Sequence, residues 1–319
     1  MPSRRRSRSI WRMYSVMAAT SERLREQRGR DVLKYLGVIG YPLKRSLSPV
    51  FQQAALDHLR LDIVYEAWPT PADGLQTRVT TLRSPTVPGA NVTIPHKEAV
   101  MAMLEEVDER AAKIGAVNTI VNREGRLVGY NTDVSGLMRA LRKDGGFDPK
   151  GKRAVVAGAG GAARAAVASL LEAGAASITV INRTLSRAVS LAEDFRRGGS
   201  KTPVGAMPDD HRSWEFAMTH CDLLINCTPV ASGDSNESPL PLELIEKRHF
   251  VFDLIYDPPE TSLIAAGKRA GANVLGGLPM LVYQGAASFE LWTGQKAPVD
   301  VMFEAARSAV EAGAARGRK

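Results

Sequence analysis

The fold is decided by the stretch Arg153-Ala154-Val155-Val156-Ala157-Gly158-Ala159-Gly160-Gly161-Ala162-Ala163-Arg164 in this chain of 319 residues. After Arg153, residues 154–157 form a short apolar run, which is typical of a buried strand. Gly158, Gly160 and Ala163 then match the Gly-x-Gly-x-x-Gly/Ala fingerprint, in which a tight turn brings the backbone close to a pyrophosphate. A helix is predicted from there to Leu171. This order of strand, turn and helix favours a dinucleotide-binding fold over a glycine turn that binds no ligand.

The end of the next predicted strand indicates which dinucleotide is bound. That strand, Ile178-Thr179-Val180-Ile181, leads into Asn182-Arg183-Thr184. An NAD site has Asp or Glu here for the ribose hydroxyls, whereas an arginine suits the 2′-phosphate of NADP. Arg187 lies one helical turn beyond Arg183 and adds a second positive charge for the same phosphate. We therefore predict NADP(H) as the cofactor; the alternative is that Arg187 lies on a solvated helix face and Thr184 only caps the helix.

Two strand-to-helix corners carry residues suited to proton transfer. The first is Asn91-Val92-Thr93-Ile94-Pro95-His96-Lys97, which ends a predicted strand and precedes a helix predicted over residues 97–104. The second is Gly129-Tyr130-Asn131-Thr132-Asp133, which precedes a helix predicted over residues 134–141. Proteins of the α/β class place ligands at such corners, and a lysine and an aspartate that meet across a cleft can hold a hydroxyl group and move its proton. The alternative is a surface salt bridge, with Asp133 as a helix N-cap.

A pair of serines marks a third corner. A strand predicted over residues 34–40 is followed by Ser46-Leu47-Ser48-Pro49, in which Ser48 is the predicted N-cap of a helix and Pro49 its first residue. Capping does not explain Ser46. Two hydroxyl groups beside the free N–H groups of a helix start suit a carboxylate. We therefore predict an anion subsite at Ser46 and Ser48.

The charge distribution argues against a nucleic-acid-binding protein. The net charge is +8, but residues 1–30 contain nine arginines and two acidic residues, so the remainder carries only +1. The Arg/Ser-rich segment 1–33 could be a targeting segment or a nucleic-acid-binding arm. We interpret it as a disordered basic extension, because it lacks apolar periodicity. No apolar run is long enough to cross a bilayer.

The cysteines and histidines predict neither a disulfide framework nor a metal site. The two cysteines, Cys221 and Cys227, have a spacing that fits no zinc pattern, and we expect Cys227 at the end of a buried strand. The five histidines have no second ligand at helical spacing. We therefore expect no metal and a location in the reducing cytoplasm.

The chain is long enough for two α/β domains with a cleft between them. Residues 34–134 are predicted to form a substrate-binding and catalytic domain, since they gather the three corners. A turn-rich segment at residues 143–152 lies near the predicted boundary between the two domains. Residues 135–284 are predicted to form the Rossmann-like domain. A last helix, predicted over 299–312, packs back on the first domain, so that residues 285–314 join it.

These motifs together resemble the shikimate/quinate dehydrogenase family. The resemblance rests on Asn-Val-Thr-x-Pro-x-Lys at 91–97, Gly-Ala-Val-Asn-Thr at 115–119 and Asn-Thr-Asp at 131–133, in that order and spacing. It covers nearly all of residues 35–310. The family resemblance implies a substrate domain followed by a Rossmann-like domain.

The resemblance implies an NADP-dependent oxidoreductase that interconverts 3-dehydroshikimate and shikimate in aromatic amino acid biosynthesis. The alternatives are a quinate or aminoshikimate dehydrogenase on the same scaffold, and a non-catalytic NADP(H)-binding regulator, which the presence of both Lys97 and Asp133 disfavours. The family usually has histidine where this chain has Arg45, a change that leaves both serine hydroxyls intact. Cys227 and Pro229 also depart from the family, so the contacts of their loop with the cofactor stay open. We expect a monomer or homodimer that binds neither nucleic acid nor membrane.

The resemblance also implies roles for individual residues. Lys97 and Asp133 would relay the proton of the reacting hydroxyl. The substrate would be bound by Ser46, Ser48, Thr93, Asn118, Tyr256 and Gln284. The cofactor would be bound by Glu109, Gly158, Ala159, Gly160, Gly161, Ala162, Asn182, Arg183, Thr184, Arg187, Leu254 and Gly277. For Glu109 the alternative is a solvated helix face, and for Tyr256 and Gln284 it is core packing.

Overall fold

Two six-stranded sheets organise the part of the chain that the structure describes. The computed structural model describes residues 33–43, 46–229 and 240–317, so residues 1–32 of the predicted extension and Arg45 lie outside the described residues. The strands of the first sheet are β1 (Lys34–Gly40), β2 (Ile63–Pro69), β3 (Gly89–Val92), β4 (Glu106–Val107), β5 (Thr119–Arg123) and β6 (Arg126–Tyr130). Those of the second are β7 (Arg153–Ala157), β8 (Ser177–Asn182), β9 (Val204–Pro208), β10 (Leu223–Asn226), β11 (Phe250–Asp253) and β12 (Asn273–Leu275).

Helices connect and cover these strands. The α-helices are α1 (Ser48–His58), α2 (Leu75–Thr81), α3 (Glu109–Ile114), α4 (Asp133–Arg139), α5 (Gly161–Glu172), α6 (Leu185–Arg197), α7 (His211–Thr219), α8 (Ser262–Arg269), α9 (Leu278–Thr293) and α10 (Val299–Gly317). Short 3-10 turns are found at Ala72–Gly74, Ala99–Met103 and Leu242–Leu244, and a π-helical turn at Ala140–Asp144 extends α4.

The second sheet is a doubly wound parallel sheet. Its strand order is β9-β8-β7-β10-β11-β12, and every neighbouring pair is parallel. This is the 3-2-1-4-5-6 order of the Rossmann fold, in which ligands bind where the strand order reverses. Here the reversal lies between β7 and β10, so the glycine loop after β7 faces the loop that begins at Cys227. The two-domain α/β prediction with a Rossmann-like half is confirmed.

The first sheet is mixed, and its topology gathers the three predicted corners at one edge. Its order is β2-β1-β3-β5-β6-β4. Because β1 and β3 are parallel, with Ile39 opposite Val92, the segments that follow both strands leave from the same edge. Because β5 is antiparallel to β3 and to β6, the start of β5 and the end of β6 lie at that edge too, where Thr119 pairs with Tyr130.

Helices α9 and α10 carry the end of the chain back to the first sheet. Helix α9 packs on α4 and α1, and α10 packs on α1 and α9. The approach of α9 to α1 is close, since a Cβ at Gly285 would lie 2.4 Å from a ring carbon of Phe51. The Gln52 side-chain amide also donates a hydrogen bond to the Gly285 carbonyl at 2.9 Å. The middle of α9 is thus held tightly against α1.

Two local predictions are wrong. The helix predicted over 97–104 is only a 3-10 turn at Ala99–Met103, and Val100 is its one buried residue, so no apolar face extends it. Ser48 is not an N-cap, because Leu47 already has helical torsions (φ −88°, ψ −6°) and takes the capping position, with no side-chain capping bond. Ser48 therefore begins α1, followed by Pro49 as expected.

Candidate active site

Lys97 and Asp133 meet at the edge where the three corners gather. The Lys97 Nζ lies 2.5 Å from Asp133 Oδ2, and the two side chains are 14% and 4% exposed. The backbone of Lys97 is held as well, since its carbonyl accepts a hydrogen bond from the Val117 N–H at 2.8 Å. Asp133 is the first residue of α4 and its carboxylate does not cap the helix; Thr132 is the N-cap. The arrangement is therefore a nearly buried ion pair rather than a surface salt bridge.

Asn118 fixes the second oxygen of the Asp133 carboxylate. Its Nδ2 donates to Asp133 Oδ1 at 2.8 Å and lies 3.2 Å from Gln284 Oε1, which joins the group from α9. The Asn118 Oδ1 accepts the Thr132 N–H at 2.7 Å, so the orientation of the amide is set by the backbone. Each carboxylate oxygen thus has one fixed donor and keeps further acceptor capacity for a ligand hydroxyl.

A buried polar network that sequence reasoning missed lies behind this group. Ser288 Oγ lies 2.7 Å from Thr119 Oγ1 and 3.1 Å from Thr132 Oγ1, and it accepts a hydrogen bond from Asn91 Nδ2 at 3.0 Å. The Tyr65 hydroxyl donates to Asn91 Oδ1 at 2.7 Å. Burial raises the pKa of Tyr65 well above its usual value, so the phenol stays a donor. Because buried polar groups need partners, this network fixes where Asn118 sits.

The two serines and Thr93 lie at the same edge. Among the described residues, no side-chain hydrogen bond joins them to the group formed by Lys97, Asp133, Asn118 and Gln284. Ser46 Oγ accepts the Ser48 N–H at a long 3.4 Å, and Ser48 is buried at the start of α1. Thr93 follows β3, and its backbone N–H donates to the Ile39 carbonyl. Tyr256 follows β11 and packs, partly buried, against the apolar core.

The glycine loop after β7 has the shape of a phosphate cradle. Gly158 has a φ of +106°, a conformation that favours glycine, and a Cβ there would lie 3.3 Å from the carbonyl carbon of Cys227. A Cβ at Gly160 would meet nothing within 4 Å, so the loop faces open space. Helix α5 starts at Gly161 with no side-chain cap, which leaves its first N–H groups free for an anion. Ala159 and Ala162 complete the loop.

The residues predicted to bind the 2′-phosphate of NADP lie at and just after the end of β8. Asn182 Nδ2 donates to the Thr184 carbonyl at 2.8 Å. Thr184 occupies the N-cap position of α6, but its side chain makes no capping bond. Arg183 is exposed, and no hydrogen bond or ion pair engages it within the described residues. Arg187 is also exposed and lies 3.7 Å from a Glu98 oxygen.

Of the remaining predicted cofactor residues, two are brought together and one is not. A Cβ at Gly277 would lie 2.1 Å from the Leu254 carbonyl oxygen, so these two backbones touch and only glycine fits. Glu109 instead lies on an exposed face of α3, 2.6 Å from Lys113. The hydrogen bond from Lys113 lowers the pKa of Glu109 below its usual value.

The loop after β10 rests on a buried polar cluster, also missed from sequence. Asn226 Nδ2 donates to Asp253 Oδ1 at 2.9 Å, and Thr261 Oγ1 donates to Asp253 Oδ2 at 2.7 Å. Burial raises the pKa of Asp253 despite these bonds. Cys227 directly follows β10, as expected, and burial raises the pKa of its thiol. Among the described residues, no group of three potential metal ligands comes together.

The doubly wound second sheet, with its phosphate cradle, lies beside the Lys97–Asp133 pair at the first sheet, and together they define a two-domain nucleotide-dependent dehydrogenase. Family models for the shikimate dehydrogenase substrate-binding domain, shikimate/quinate 5-dehydrogenase and the shikimate 5′-dehydrogenase C-terminal domain match residues 38–120, 140–228 and 277–307. The chain belongs to the shikimate dehydrogenase family.

Individual relatives agree with this assignment over most of the chain. The shikimate dehydrogenase (NADP(+)) of Methanopyrus kandleri is 44% identical over 275 residues, which cover 85% of this chain and 93% of that protein. The enzyme of the same name from Moorella thermoacetica is 43% identical and covers 89% of this chain and 97% of its own length. The crystal structure of shikimate 5-dehydrogenase from Thermus thermophilus in complex with NADP(H) and shikimate aligns with a TM-score of 0.77 at 43% identity, covering 86% of this chain and 99% of that one.

Proposed function

We propose that this chain is an NADP-dependent shikimate dehydrogenase, which reversibly reduces 3-dehydroshikimate to shikimate with NADPH in aromatic amino acid biosynthesis. The observation that carries the proposal is the Lys97–Asp133 pair, held by Asn118 next to the glycine loop, in a chain 44% identical to an NADP(+) enzyme of that name. The pair supplies proton transfer and the loop supplies the dinucleotide site, which are the two requirements of this reaction.

The proton step is assigned to Lys97 and Asp133. Oxidation of a ring hydroxyl requires loss of the hydroxyl proton as hydride leaves the carbon, and reduction requires the reverse. Lys97 Nζ and Asp133 Oδ2 are 2.5 Å apart, so a proton taken by one can pass to the other. Asn118 keeps the carboxylate in place during the transfer. General acid–base groups of this kind contribute about 10²–10⁴-fold to turnover.

The substrate ring is assigned to the residues around this pair, at the same edge of the first sheet. The hydroxyls of Ser46 and Ser48 and the start of α1 would bind the substrate carboxylate, because a helix N-terminus favours an anion. The ring hydroxyls would be oriented by side chains with donor and acceptor capacity on four different elements, namely Thr93, Asn118, Tyr256 and Gln284.

NADP(H) would supply the hydride, and the residues of the second sheet fit its parts. The open space at Gly160 and the uncapped start of α5 suit the pyrophosphate. Arg183 has no competing partner in the described chain and Arg187 has one distant partner, so both can turn to a 2′-phosphate. Leu254 and Gly277 would lie along the nicotinamide. Glu109 is the least favoured of the predicted cofactor-binding residues, because its carboxylate already pairs with Lys113.

The proposal extends to the location of the enzyme, its assembly state and its domain boundaries. No helix within the described residues is long and apolar enough to cross a membrane. Both cysteines are free thiols in the structure. We assign the enzyme to the cytoplasm, as a monomer or homodimer with small-molecule partners. We also assign residues 34–134 and 285–314 to the substrate domain and residues 135–284 to the cofactor domain.

Quinate is the second candidate substrate, since the family model that matches residues 140–228 is named for both shikimate and quinate. Quinate carries one more ring hydroxyl, so the two substrates differ in what the pocket must accommodate. The test is the rate of formation of the reduced cofactor, NADPH or NADH, followed by its absorbance, with each of four combinations of shikimate or quinate and NADP or NAD. We expect the highest kcat/KM with shikimate and NADP. A higher value with quinate would replace the substrate assignment, and no turnover with any combination would overturn the proposal.

A further inference from the structure

Arg164 is a nearly buried arginine that joins the second sheet's helices to the first half of the chain. It lies on α5, and its side chain is 12% exposed. Its Nη2 donates to Asp194 Oδ2 on α6 at 2.6 Å, and its Nη1 donates to the Ile114 carbonyl at 3.2 Å. Its Nε lies 3.7 Å from Glu98 Oε2 and makes no hydrogen bond. One guanidinium thus contacts its own half through Asp194 and the opposite half through Ile114 and Glu98.

The two contacts in the opposite half belong to segments that are joined to Lys97, one by the chain and one by a hydrogen bond. Glu98 is the next residue in the chain. Ile114 ends α3, and three residues later the Val117 N–H donates to the Lys97 carbonyl at 2.8 Å. Gly115 leaves room for the guanidinium, because a Cβ there would lie 2.8 Å from Arg164 Nη1. Arg164 therefore bonds to the backbone of the segment that binds the Lys97 carbonyl, and it lies near the carboxylate of the residue that follows Lys97.

The same face of α5 also touches Lys97 itself. Gly161 and Arg164 are three residues apart and so lie on one face of the helix. A Cβ at Gly161 would lie 2.9 Å from the Cβ of Lys97 and 3.0 Å from its Cδ. The glycine lets the lysine stem lie against the start of α5, and the arginine one turn later holds the backbone around it.

Arg164 is suited to this task in a way that lysine is not. Its planar guanidinium presents donors in fixed directions, so it donates to Asp194 and Ile114 on two elements while its charge stays close to Glu98, whereas an ammonium is a point charge on a flexible stem. Burial alone would raise the pKa of Asp194, but the hydrogen bonds and charges of Arg164 and Arg197 outweigh it and lower the pKa, so the partner on α6 stays ionised near neutral pH.

We propose that Arg164 is a positioning residue for catalysis: it holds the Lys97–Glu98 corner against the glycine loop and so sets the geometry of the Lys97–Asp133 pair relative to the bound cofactor. The inference rests on the proposed function, because it assigns Arg164 a role in the proton step of that reaction. A misplacement of about 1 Å far from the chemistry can cost about 100-fold in rate.

The test compares Arg164→Lys with Arg197→Lys. Arg197 also pairs with Asp194, at 2.8 Å, but it is exposed and contacts nothing in the opposite half within the described residues, so it is the matched control. Arg164→Lys should lower kcat by about 10–100-fold. Its KM for shikimate and its Kd for NADPH, measured by fluorescence titration without turnover, should stay near the wild-type values. Arg197→Lys should leave all three unchanged.

The decisive readout is the same substitution made in a Lys97→Ala background. If Arg164 acts through Lys97, Arg164→Lys should have no further effect on kcat once the lysine is absent. A folded Arg164→Lys variant with normal kcat, or losses that multiply in the double variant, would overturn the inference. Should Arg164→Lys fail to fold, Glu98→Gln probes the same contact from its exposed side, and it should lower kcat at saturating NADP by about two- to fivefold, as expected for a partly exposed charge pair. Because Glu98 also lies 3.7 Å from Arg187, an effect confined to the Kd for NADPH, or an unchanged kcat, would overturn the inference. A wild-type enzyme inactive with shikimate would instead remove the proposed function.

Discussion

Replacing Arg183 with alanine should reduce the preference for NADP over NAD by about 10–150-fold. Arg183 is exposed and has no polar partner among the described residues, so its removal orphans no buried group and disturbs no contact. The expected effect is therefore limited to the lost bond to the 2′-phosphate. A hydrogen bond to a charged group is worth about 1.5–3 kcal/mol, which corresponds to about 10–150-fold. NAD has no 2′-phosphate, so its kcat/KM should hardly change.

The assay is kcat/KM for both cofactors at saturating shikimate, with wild type and variant at one ionic strength, because salt screens exposed charges. Arg196→Ala is the matched control, since Arg196 is an exposed arginine at the far end of α6, the helix that follows Arg183. It should leave both values unchanged. Equal losses with NADP and NAD in Arg183→Ala would show that the arginine does not bind the 2′-phosphate, and binding of that phosphate would then rest on Arg187 alone.

Three further outcomes follow from the structure. Ser46→Ala should raise KM for shikimate by about 10–150-fold with little change in kcat, as expected for a lost hydrogen bond to a carboxylate; an unchanged KM would remove Ser46 from the site. Cys221 is buried, and burial raises the pKa of its thiol to about 12, so this thiol should not react with a thiol reagent at pH 8 until the protein is denatured; rapid labelling of Cys221 in the native enzyme, located by peptide mapping, would refute this. The pKa of Asp194 is lowered in the folded state, so its stabilising contribution is present above the unfolded pKa of about 4 and is lost as pH falls. The Tm difference between wild type and Asp194→Asn should shrink from pH 6 to pH 3, and a constant difference would contradict the assignment.

The features that could be predicted from the sequence are those with a local signal. The glycine fingerprint at residues 158–163 could be predicted, because a tight turn and a close approach of the backbone to a ligand need small residues. Lys97 and Asp133 could be singled out because each follows an apolar run at a predicted strand-to-helix corner. Their meeting depends on topology, since β5 is antiparallel to both of its neighbours and returns the chain to one edge.

The features that could not be predicted depend on contacts between distant residues. Ser288 bonds Thr119 across 169 positions, and nothing local in α9 distinguishes it from other small helix residues. Arg164 lies on α5, for which the sequence predicts only the start of a nucleotide site, while its contacts with Ile114 and Glu98 come from the opposite half of the chain. The helix predicted over 97–104 failed because its apolar residues do not form a buried face.

The central claim is that the Lys97–Asp133 pair handles the proton of an NADP-dependent shikimate dehydrogenase. The measurement that tests it most directly is the steady-state kinetics of Lys97→Ala with shikimate and NADP. We predict that kcat falls by about 10²–10⁴-fold, while KM for shikimate and the Kd for NADPH stay near the wild-type values, because other residues hold substrate and cofactor. A variant with near-normal kcat would contradict the account.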